Sequence, residues 1–401
     1  MLTNLLLFLL VLQTPQGVHQ GVEDPIRSAV VSWYSDSTDT ELPAIAIDGD
    51  TTYGYNNIAP RLGNSIYKHV IIDSLLPGRT YDACIVDGPA VTLKTLLDVE
   101  DTLSFTVFGD QGIGYNAEPI TRAASMAYDA QLHFVVGDLS YANGSRFPGD
   151  PPEMGEWWWE TWDSWFNMNQ KLAIQKPFIC ALGNHEYAEK GESQFEWEES
   201  ASYRLHQPGN KKYFLLRIPP AAILVLDSSR LEGPKKVRPY SVKELHWVRQ
   251  TLRELQNDLE IRWRIVMFHH PVYTASPTRR GNKIIKTFAL PAMEEFGVDI
   301  IFTGHDHIYS RSHPILNDEP YIPEDKEDNY YWDPPGIIHV VTGGGGRGLG
   351  NSVDSPMIVK HQAIHHFMAV TIVHIKKHIK MQVRAIDKHG MEIDYFEIRK
   401  Q

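Results

Sequence analysis

The sequence predicts an all-β sandwich over residues 21–100, followed by an α/β layered domain over residues 101–401. A chain of 401 residues is long for one hydrophobic core. In its first hundred residues, short β-branched and aromatic runs alternate with Gly, Pro, Asp and Asn clusters. From Leu103 onward, nearly continuous apolar runs alternate with helical stretches, and the acidic stretch Asp98–Asp101 marks the boundary.

Residues 1–20 are interpreted as a signal peptide. Leu5–Leu12 is apolar over about the length of a signal-peptide core and is too short to cross a bilayer. The alternative is an apolar first strand. The signal interpretation predicts a secreted or lysosomal protein, and no other segment is apolar for long enough to form a membrane span.

In the first domain, strands are predicted at Ala29–Ser35, Tyr67–Ile72 and Tyr81–Val86. Leu76–Tyr81 has the pattern of a tyrosine corner, in which a Tyr hydroxyl group bonds to upstream backbone. With the strand spacing, this pattern favours an immunoglobulin-like or fibronectin III-like sandwich. In the second domain, helices are predicted at Pro119–Gln131, Trp157–Leu172, Val242–Asn257 and Lys283–Phe296, where they would cover the outer faces of a sheet.

Composition limits the possible partners and the redox chemistry. The formal net charge of −12 argues against nucleic-acid binding, which needs a broad basic surface. Cys84 and Cys180 lie in separate apolar runs, so buried free thiols are expected for both rather than a disulfide. Asn143-Gly144-Ser145 is a glycosylation sequon, which would make the secreted chain a glycoprotein.

Five apolar strands of the second domain each end in a short polar motif. The motifs are Gly109–Gly112, Gly137–Tyr141, Gly183–Glu186, His269–Pro271 and Gly304–His307. Because ligands bind at the carboxyl ends of strands in α/β sheets, these motifs are expected to meet at one edge. Carboxylate and tyrosinate oxygens suit a hard, highly charged cation, whereas imidazole and amide oxygen suit a divalent one. Each motif alone is weak evidence, but five in succession indicate a metal site.

In this order, GDxG, GDxxY, GNHE, VxxH and GHxH resemble the five signature motifs of the purple acid phosphatases, which are calcineurin-like metallophosphoesterases. The resemblance covers nearly the whole chain after residue 20 and implies a metallophosphoesterase fold for residues 101–401. It implies Fe³⁺ together with one divalent ion, namely Fe²⁺, Zn²⁺ or Mn²⁺. The ferric ligands would be Asp110, Tyr141 and His307, the bridging ligand Asp138, and the divalent ligands Asn184, His269 and His305.

The resemblance also implies an acid phosphatase that hydrolyses small phosphate monoesters by attack of a metal-activated hydroxide. Asn184 and His185 would contact the substrate, and His185 would act as the catalytic acid. Two alternatives remain open. One is a related metallophosphoesterase acting on diesters, nucleotides or phosphoproteins, and the other is a non-catalytic secreted binding protein. The oligomeric state is not predicted.

The chain departs from the family pattern beyond the fourth motif. Relatives commonly carry further histidines there, whereas Thr274–Arg280 contains none. Arg279 or Arg280 could contact phosphate instead, or form a solvated basic turn. His270 is expected to be a supporting or partly exposed residue, and Asp306 is expected to face solvent. The Gly343–Gly348 run is interpreted as a loop at the edge of the active site.

Overall fold

The structure is a computed structural model. It describes residues 15–57, 65–126, 129–142, 160–187, 201–210, 212–231, 239–279, 281–323, 328–375 and 378–401. The sequon at Asn143 and the predicted contact residue Arg280 lie outside these ranges. None of the helices in the described residues has both the length and the apolar character needed to cross a bilayer.

The N-terminal domain is all-β, as predicted. Its strands are β1 Gln16–Gly21, β2 Ala29–Asp36, β3 Ala44–Ile47, β4 Asp50–Tyr53, β5 Tyr55–Asn57, β6 Ser65–Ile72, β7 Thr80–Ile85 and β8 Ala90–Lys94. One antiparallel sheet has the order β1-β2-β6-β5 and the other has the order β4-β3-β7-β8. Val31 and Val70 from the first sheet share a fully buried core with Ile45 and Leu93 from the second. The likeness to an immunoglobulin or fibronectin III domain stays a prediction.

Local side-chain positions confirm two expectations and correct a third. The backbone N–H of Leu76 donates to Tyr81 Oη at 2.8 Å, which is the bond expected of a tyrosine corner. Both cysteines are free, and Cys180 is buried as expected. Cys84 is exposed, however, because side chains alternate along β7 and its neighbours Ala83 and Ile85 take the inward positions.

The sandwich begins earlier than predicted. Strand β1 starts at Gln16, inside the segment interpreted as a signal peptide, and pairs with β2. Within this strand, the Val18 N–H donates to Gln170 Oε1 of the second domain at 3.0 Å. The predicted domain boundary at residue 21 therefore moves to Gln16, and a leader that ended at residue 20 would remove this strand. Residues 1–14 lie outside the described part of the chain.

The second domain contains two mixed sheets packed against each other. Its strands are β9 Thr102–Phe108, β10 Leu132–Val136, β11 Phe178–Ala181, β12 Phe214–Ile218, β13 Ala221–Val225, β14 Trp263–Met267, β15 Ile300–Thr303, β16 Tyr309–Leu316, β17 Glu319–Pro320, β18 Tyr330–Trp332, β19 Ile337–Thr342, β20 Ile358–Gln362, β21 His366–Ile375, β22 His378–Asp387 and β23 Glu392–Lys400. One sheet runs β11-β10-β9-β21-β22-β23-β18, and the other runs β12-β13-β14-β15-β19-β16-β17, with β20 paired to β16.

Helices cover the outer face of each sheet. They are α1 Ala117–Met126, α2 Glu160–Ala173, α3 Pro239–Gln256 and α4 Leu290–Glu295, the last preceded by a π-helical turn at Ile285–Ala289. Helices α1 and α2 pack on the first sheet, and α3 and α4 pack on the second. The strands are apolar on both faces because one face meets a helix and the other meets the opposite sheet. The prediction of an α/β layered domain is confirmed, with two sheets in place of one.

Asp163, on α2, connects the second domain to the sandwich. It accepts hydrogen bonds from Ser65 Oγ at 2.6 Å and from Tyr67 Oη at 2.5 Å, both on β6. The buried guanidinium group of Arg204 lies 5.0 Å from the centre of the Tyr67 ring and interacts electrostatically with Asp163. One carboxylate therefore accepts two hydroxyl donors and balances a buried cation at the domain junction.

We expect Asp163→Ala to lower the free energy of unfolding by about 2–4 kcal/mol, because it removes two charge-assisted hydrogen bonds and the negative charge that stabilises the buried guanidinium group of Arg204. Urea denaturation followed by tryptophan fluorescence measures this change. Glu160→Ala is the matched control, since Glu160 is an exposed carboxylate on the first turn of the same helix. Equal effects of the two substitutions would contradict the assignment.

Candidate metal centre

The polar motifs of both sheets meet at one edge. Strands β9, β10 and β11 are parallel neighbours in the first sheet, and β14 and β15 are parallel neighbours in the second. Backbone bonds join the loops beyond these strands: Asp110 N–H donates to the Gly137 carbonyl at 3.0 Å, and Gly304 N–H donates to the His269 carbonyl at 2.9 Å. The structure brings all seven predicted metal ligands together at this edge.

Three of these side chains form a triangle of donor atoms. Tyr141 Oη lies 3.2 Å from Asp110 Oδ1 and 3.1 Å from His307 Nε2, and the last two atoms are 3.3 Å apart. Ligand atoms bound at right angles to one metal ion, at roughly 2.1 Å, are about 3 Å apart. The triangle therefore matches one face of an octahedral coordination shell.

A second group of donor atoms lies beside the triangle. Asn184 Oδ1 is 3.2 Å from His269 Nε2 and 2.9 Å from His305 Nδ1. Asp138 Oδ2 is 3.1 Å from His269 Nε2. Ligand atoms of Asp110, Asp138 and His269 also lie within 4.8 Å of one another, so the two groups of donor atoms adjoin each other.

Backbone carbonyl groups fix the orientation of two of the imidazole rings. His269 Nδ1 lies 2.9 Å from the Val136 carbonyl oxygen, and His307 Nδ1 lies 2.7 Å from that of Gly348. Because a carbonyl oxygen only accepts, each Nδ1 carries the hydrogen and each Nε2 presents its lone pair to the site. Both rings are therefore in the tautomer that binds a metal through Nε2.

The charges in the site leave a place for cations. Burial, reinforced by Asp110 and Asp138, raises the pKa of the Tyr141 phenol well above its ordinary value. Burial by itself would lower the pKa of His269, but the carboxylates of Asp138 and Asp110 raise it to about 9. The buried carboxylates thus concentrate negative charge around the His269 ring, which favours positive charge at this place. The donor set therefore fits two highly charged cations.

Glu186 organises the turns that carry two of the ligands, a role that the motif alone did not reveal. This buried carboxylate accepts the backbone N–H groups of Asp138 at 2.9 Å, Leu139 at 2.8 Å and Gly183 at 2.8 Å. Burial and the charge of Asp138 raise the pKa of Glu186 to about 8. One side chain therefore fixes the second motif against the third.

The backbone of the site is held in an uncommon conformation. Four predicted ligands have left-handed backbone angles: Asp110 (φ 58°), Asp138 (φ 52°), Tyr141 (φ 57°) and His305 (φ 67°). Two glycines that precede motif residues are needed because of the space available to them. A Cβ atom on Gly183 would lie 2.1 Å from Asp138 Oδ1, and one on Gly304 would lie 2.5 Å from Asp110 Oδ2. Glycine at these two positions lets the backbone lie close to the carboxylates of Asp138 and Asp110.

His185, the predicted catalytic acid, borders both groups of ligands. Its ring centre lies 4.3 Å from that of Tyr141, and its Nε2 lies 3.8 Å from Asp138 Oδ2. Burial lowers the pKa of His185, although Asp138 opposes this shift. The side chain keeps 15% of its surface exposed, so it lies at the open side of the site.

Two expectations for the rim need revision. Asp306, which was expected to face solvent, is buried and accepts a hydrogen bond from Thr274 Oγ1, because its side chain turns inward between two ligand histidines. Arg279 Nη1 donates to the His305 carbonyl at 2.7 Å, and its Nε lies 3.5 Å from Asp306 Oδ1. Arg279 thus contacts the fifth motif while 43% of its side-chain surface stays exposed, which agrees with the solvated alternative. His270 is buried, which contradicts partial exposure and leaves the other expectation, a supporting residue.

The glycine-rich run lies at the edge of the site, as interpreted. A Cβ atom on Gly343 would come 2.8 Å from Asp110 Oδ2. The guanidinium carbon of Arg347 lies 4.1 Å from the centre of the Tyr141 ring, a cation–π contact that the sequence did not indicate. The loop therefore contacts Tyr141 through Arg347 and approaches Asp110 at a distance that requires glycine at position 343.

A family model described as calcineurin-like phosphoesterase matches residues 103–309, and the chain belongs to this family. Within it, the predicted resemblance to the purple acid phosphatases is confirmed. Purple acid phosphatase 18 of Arabidopsis thaliana is 26% identical over 77% of this chain and 64% of that protein. An uncharacterised protein of Mycobacterium tuberculosis is 25% identical over 79% of this chain and 66% of that protein. The chain thus spans just under two thirds of these relatives.

The fold is also similar to that of a solved purple acid phosphatase. The purple acid phosphatase from yellow lupin (Lupinus luteus) seeds superposes with a TM-score of 0.76 at 18% identity, covering 97% of this chain and 75% of that one. The chain is therefore a purple acid phosphatase-like metallophosphoesterase, from a family that binds a dinuclear metal site and acts on phosphate esters.

We expect Gly183→Ala to weaken metal binding by about 10- to 100-fold, because its Cβ would collide with the backbone and carboxylate of Asp138. Titration of the metal-free protein with Zn²⁺ measures the change. Gly350→Ala is the control, since the nearest atom to its Cβ would be 3.8 Å away. Metal affinity that is the same in both variants would refute the close-approach argument.

Proposed function

We propose that this protein is an acid phosphatase that hydrolyses phosphate monoesters at a dinuclear Fe³⁺–divalent metal site. The observation that carries the proposal is the triangle formed by Tyr141, Asp110 and His307 beside a second group of nitrogen and oxygen donors. A phenol becomes a ligand at neutral pH only when a strong Lewis acid displaces its proton. Ferric iron meets that requirement.

The proposed ligand assignment follows the two groups. Fe³⁺ would be held by Asp110, Tyr141 and His307, with Asp138 bridging to the second ion. Asn184, His269 and His305 would hold that ion, for which Fe²⁺, Zn²⁺ and Mn²⁺ all suit one amide oxygen and two imidazoles. When bound, the two ions supply positive charge to offset the phosphate and a hydroxide to attack phosphorus.

The chain's own residues would orient the substrate and move a proton. Asn184 and His185 lie at the partly exposed side of the site, where a phosphate ester can enter. His185 is proposed to donate a proton to the leaving oxygen, which contributes about 10²–10⁴-fold in such reactions. The buried carboxylate of Asp138 holds the His185 backbone through a hydrogen bond of 2.8 Å. The position of the acid is therefore tied to that of a ligand.

We further propose a secreted or lysosomal location, supported by the apolar run Leu5–Leu12. A chain in that compartment would pass the glycosylation machinery, which gives the Asn143 sequon its opportunity for use. Mass spectrometry of the protein from culture medium, before and after enzymatic deglycosylation, tests both statements.

We expect the purified, metal-loaded protein to show a visible absorption band from the Tyr141–iron pair and to hydrolyse para-nitrophenyl phosphate in mild acid. Tyr141→Phe should abolish the band, because the phenolate is the donor in the charge transfer. Absorption spectroscopy and metal analysis measure both.

Tyr309→Phe serves as the matched control. Tyr309 is also buried, but its hydroxyl group donates to Asp394 at 2.6 Å instead of facing the donor triangle. It should keep the band. A colourless, iron-free wild type that still hydrolyses the ester would refute the iron assignment, and absence of turnover with both metals loaded would refute the phosphatase assignment.

A further inference from the structure

His270 is a buried histidine within the metal centre that the ligand assignment does not use. Its ring centre lies 4.3 Å from that of His305 and 4.9 Å from that of His269. One ring nitrogen from each of the three residues falls within a 4.8 Å cluster. By distance alone, His270 could therefore be a third imidazole ligand of the divalent ion. The position of its hydrogen decides whether it is.

Ser228 determines that position. Its Oγ atom accepts two backbone hydrogen bonds, from His269 N–H at 3.1 Å and from His270 N–H at 3.0 Å. A hydroxyl oxygen has two lone pairs and one hydrogen, so these bonds use both lone pairs. The third contact of Oγ, to His270 Nδ1 at 3.0 Å, must then be made by the hydroxyl hydrogen. Nδ1 is therefore the acceptor, and the hydrogen of the neutral ring is on Nε2.

This tautomer excludes His270 as a metal ligand. Nε2 has no lone pair to offer while it carries the hydrogen, and the lone pair of Nδ1 is engaged by Ser228. The arrangement is opposite to that of His269, whose Nδ1–H donates to the Val136 carbonyl and leaves Nε2 to bind metal. Two adjacent histidines thus present opposite chemistry: His269 provides a lone pair and His270 provides an N–H donor.

We propose that His270 Nε2–H donates a hydrogen bond to an oxygen of the bound phosphate group, on the side of the divalent ion, and that Ser228 sets the tautomer for this role. The proposal rests on the proposed phosphatase function. Phosphate oxygens are acceptors, and a neutral donor beside two imidazole ligands orients one of them without adding charge.

The rim of the site agrees with this role. Arg279, one of the two arginines considered for phosphate, directs Nη1 to the His305 carbonyl and Nε toward Asp306. Its guanidinium group therefore supports the fifth motif. Unlike His269, whose hydrogen is directed to the Val136 carbonyl, His270 has its Nδ1 engaged by Ser228 and carries its hydrogen on Nε2.

Equilibrium binding of inorganic phosphate to the metal-loaded, full-length protein tests the proposal without turnover. By isothermal titration calorimetry, we expect His270→Ala to raise the Kd for phosphate by about 10- to 100-fold, the range for a hydrogen bond to a charged group. His270→Gln, whose amide restores an N–H donor near the Nε2 position, should recover part of the loss. Metal content, measured by plasma mass spectrometry, should equal that of the wild type in both variants.

Ser228→Ala tests the tautomer. Removing the hydroxyl hydrogen allows the Nδ1–H form, so we expect a smaller rise in the phosphate Kd with the metal content retained. His339→Gln is the control for loss of a buried histidine, since that ring packs against Tyr273 at a centre-to-centre distance of 4.8 Å. It should leave the phosphate Kd unchanged.

Three results would overturn specific statements. Loss of the divalent ion in His270→Ala would show that His270 is a ligand. An unchanged phosphate Kd in His270→Ala with full metal content would show that it makes no contact with phosphate. A metal-loaded wild type that binds no phosphate would instead refute the proposed function, so the two failures are distinguishable.

Discussion

Burial of two carboxylates, Asp110 and Asp138, is the constraint on which the rest of the site depends. An ionised carboxylate inside a protein is costly unless charges and donors surround it. The chain supplies such donors from its own backbone: His305 N–H reaches Asp110 Oδ2 at 2.7 Å, and His185 N–H reaches Asp138 Oδ1 at 2.8 Å. These bonds require the loops to lie almost in contact, which explains both the glycines and the left-handed backbone at the ligands.

Buried polar side chains hold the loops that carry the candidate ligands. Glu186 accepts hydrogen bonds from three backbone N–H groups of the second and third motifs, and Ser228 accepts two from the fourth motif. Each buried acceptor satisfies donors that a tight turn would otherwise leave unpaired. Rigidity at the metal centre therefore comes from hydrogen bonding within the loops, while the apolar sheets beneath them fix where the loops begin.

The sequence was sufficient to predict which polar side chains meet at one edge, because each motif is a local signal and strand ends share an edge in layered α/β domains. It did not reveal that the strands divide between two sheets, because β21, which pairs with β9, lies far along the chain. It also misplaced Cys84 and Asp306, since the direction of a side chain depends on partners that local pattern does not specify. The role of Ser228 had no sequence signal at all.

The bond between His305 N–H and Asp110 Oδ2 joins residues 195 positions apart in the chain. Asp110 follows a strand of the first sheet and His305 follows a strand of the second, so the two residues meet only when the sheets are packed together. Closing so long a loop costs conformational entropy, which the contacts between the sheets must offset. Since ions that bind only the folded state stabilise it by mass action, bound metal would stabilise the packing of the two sheets.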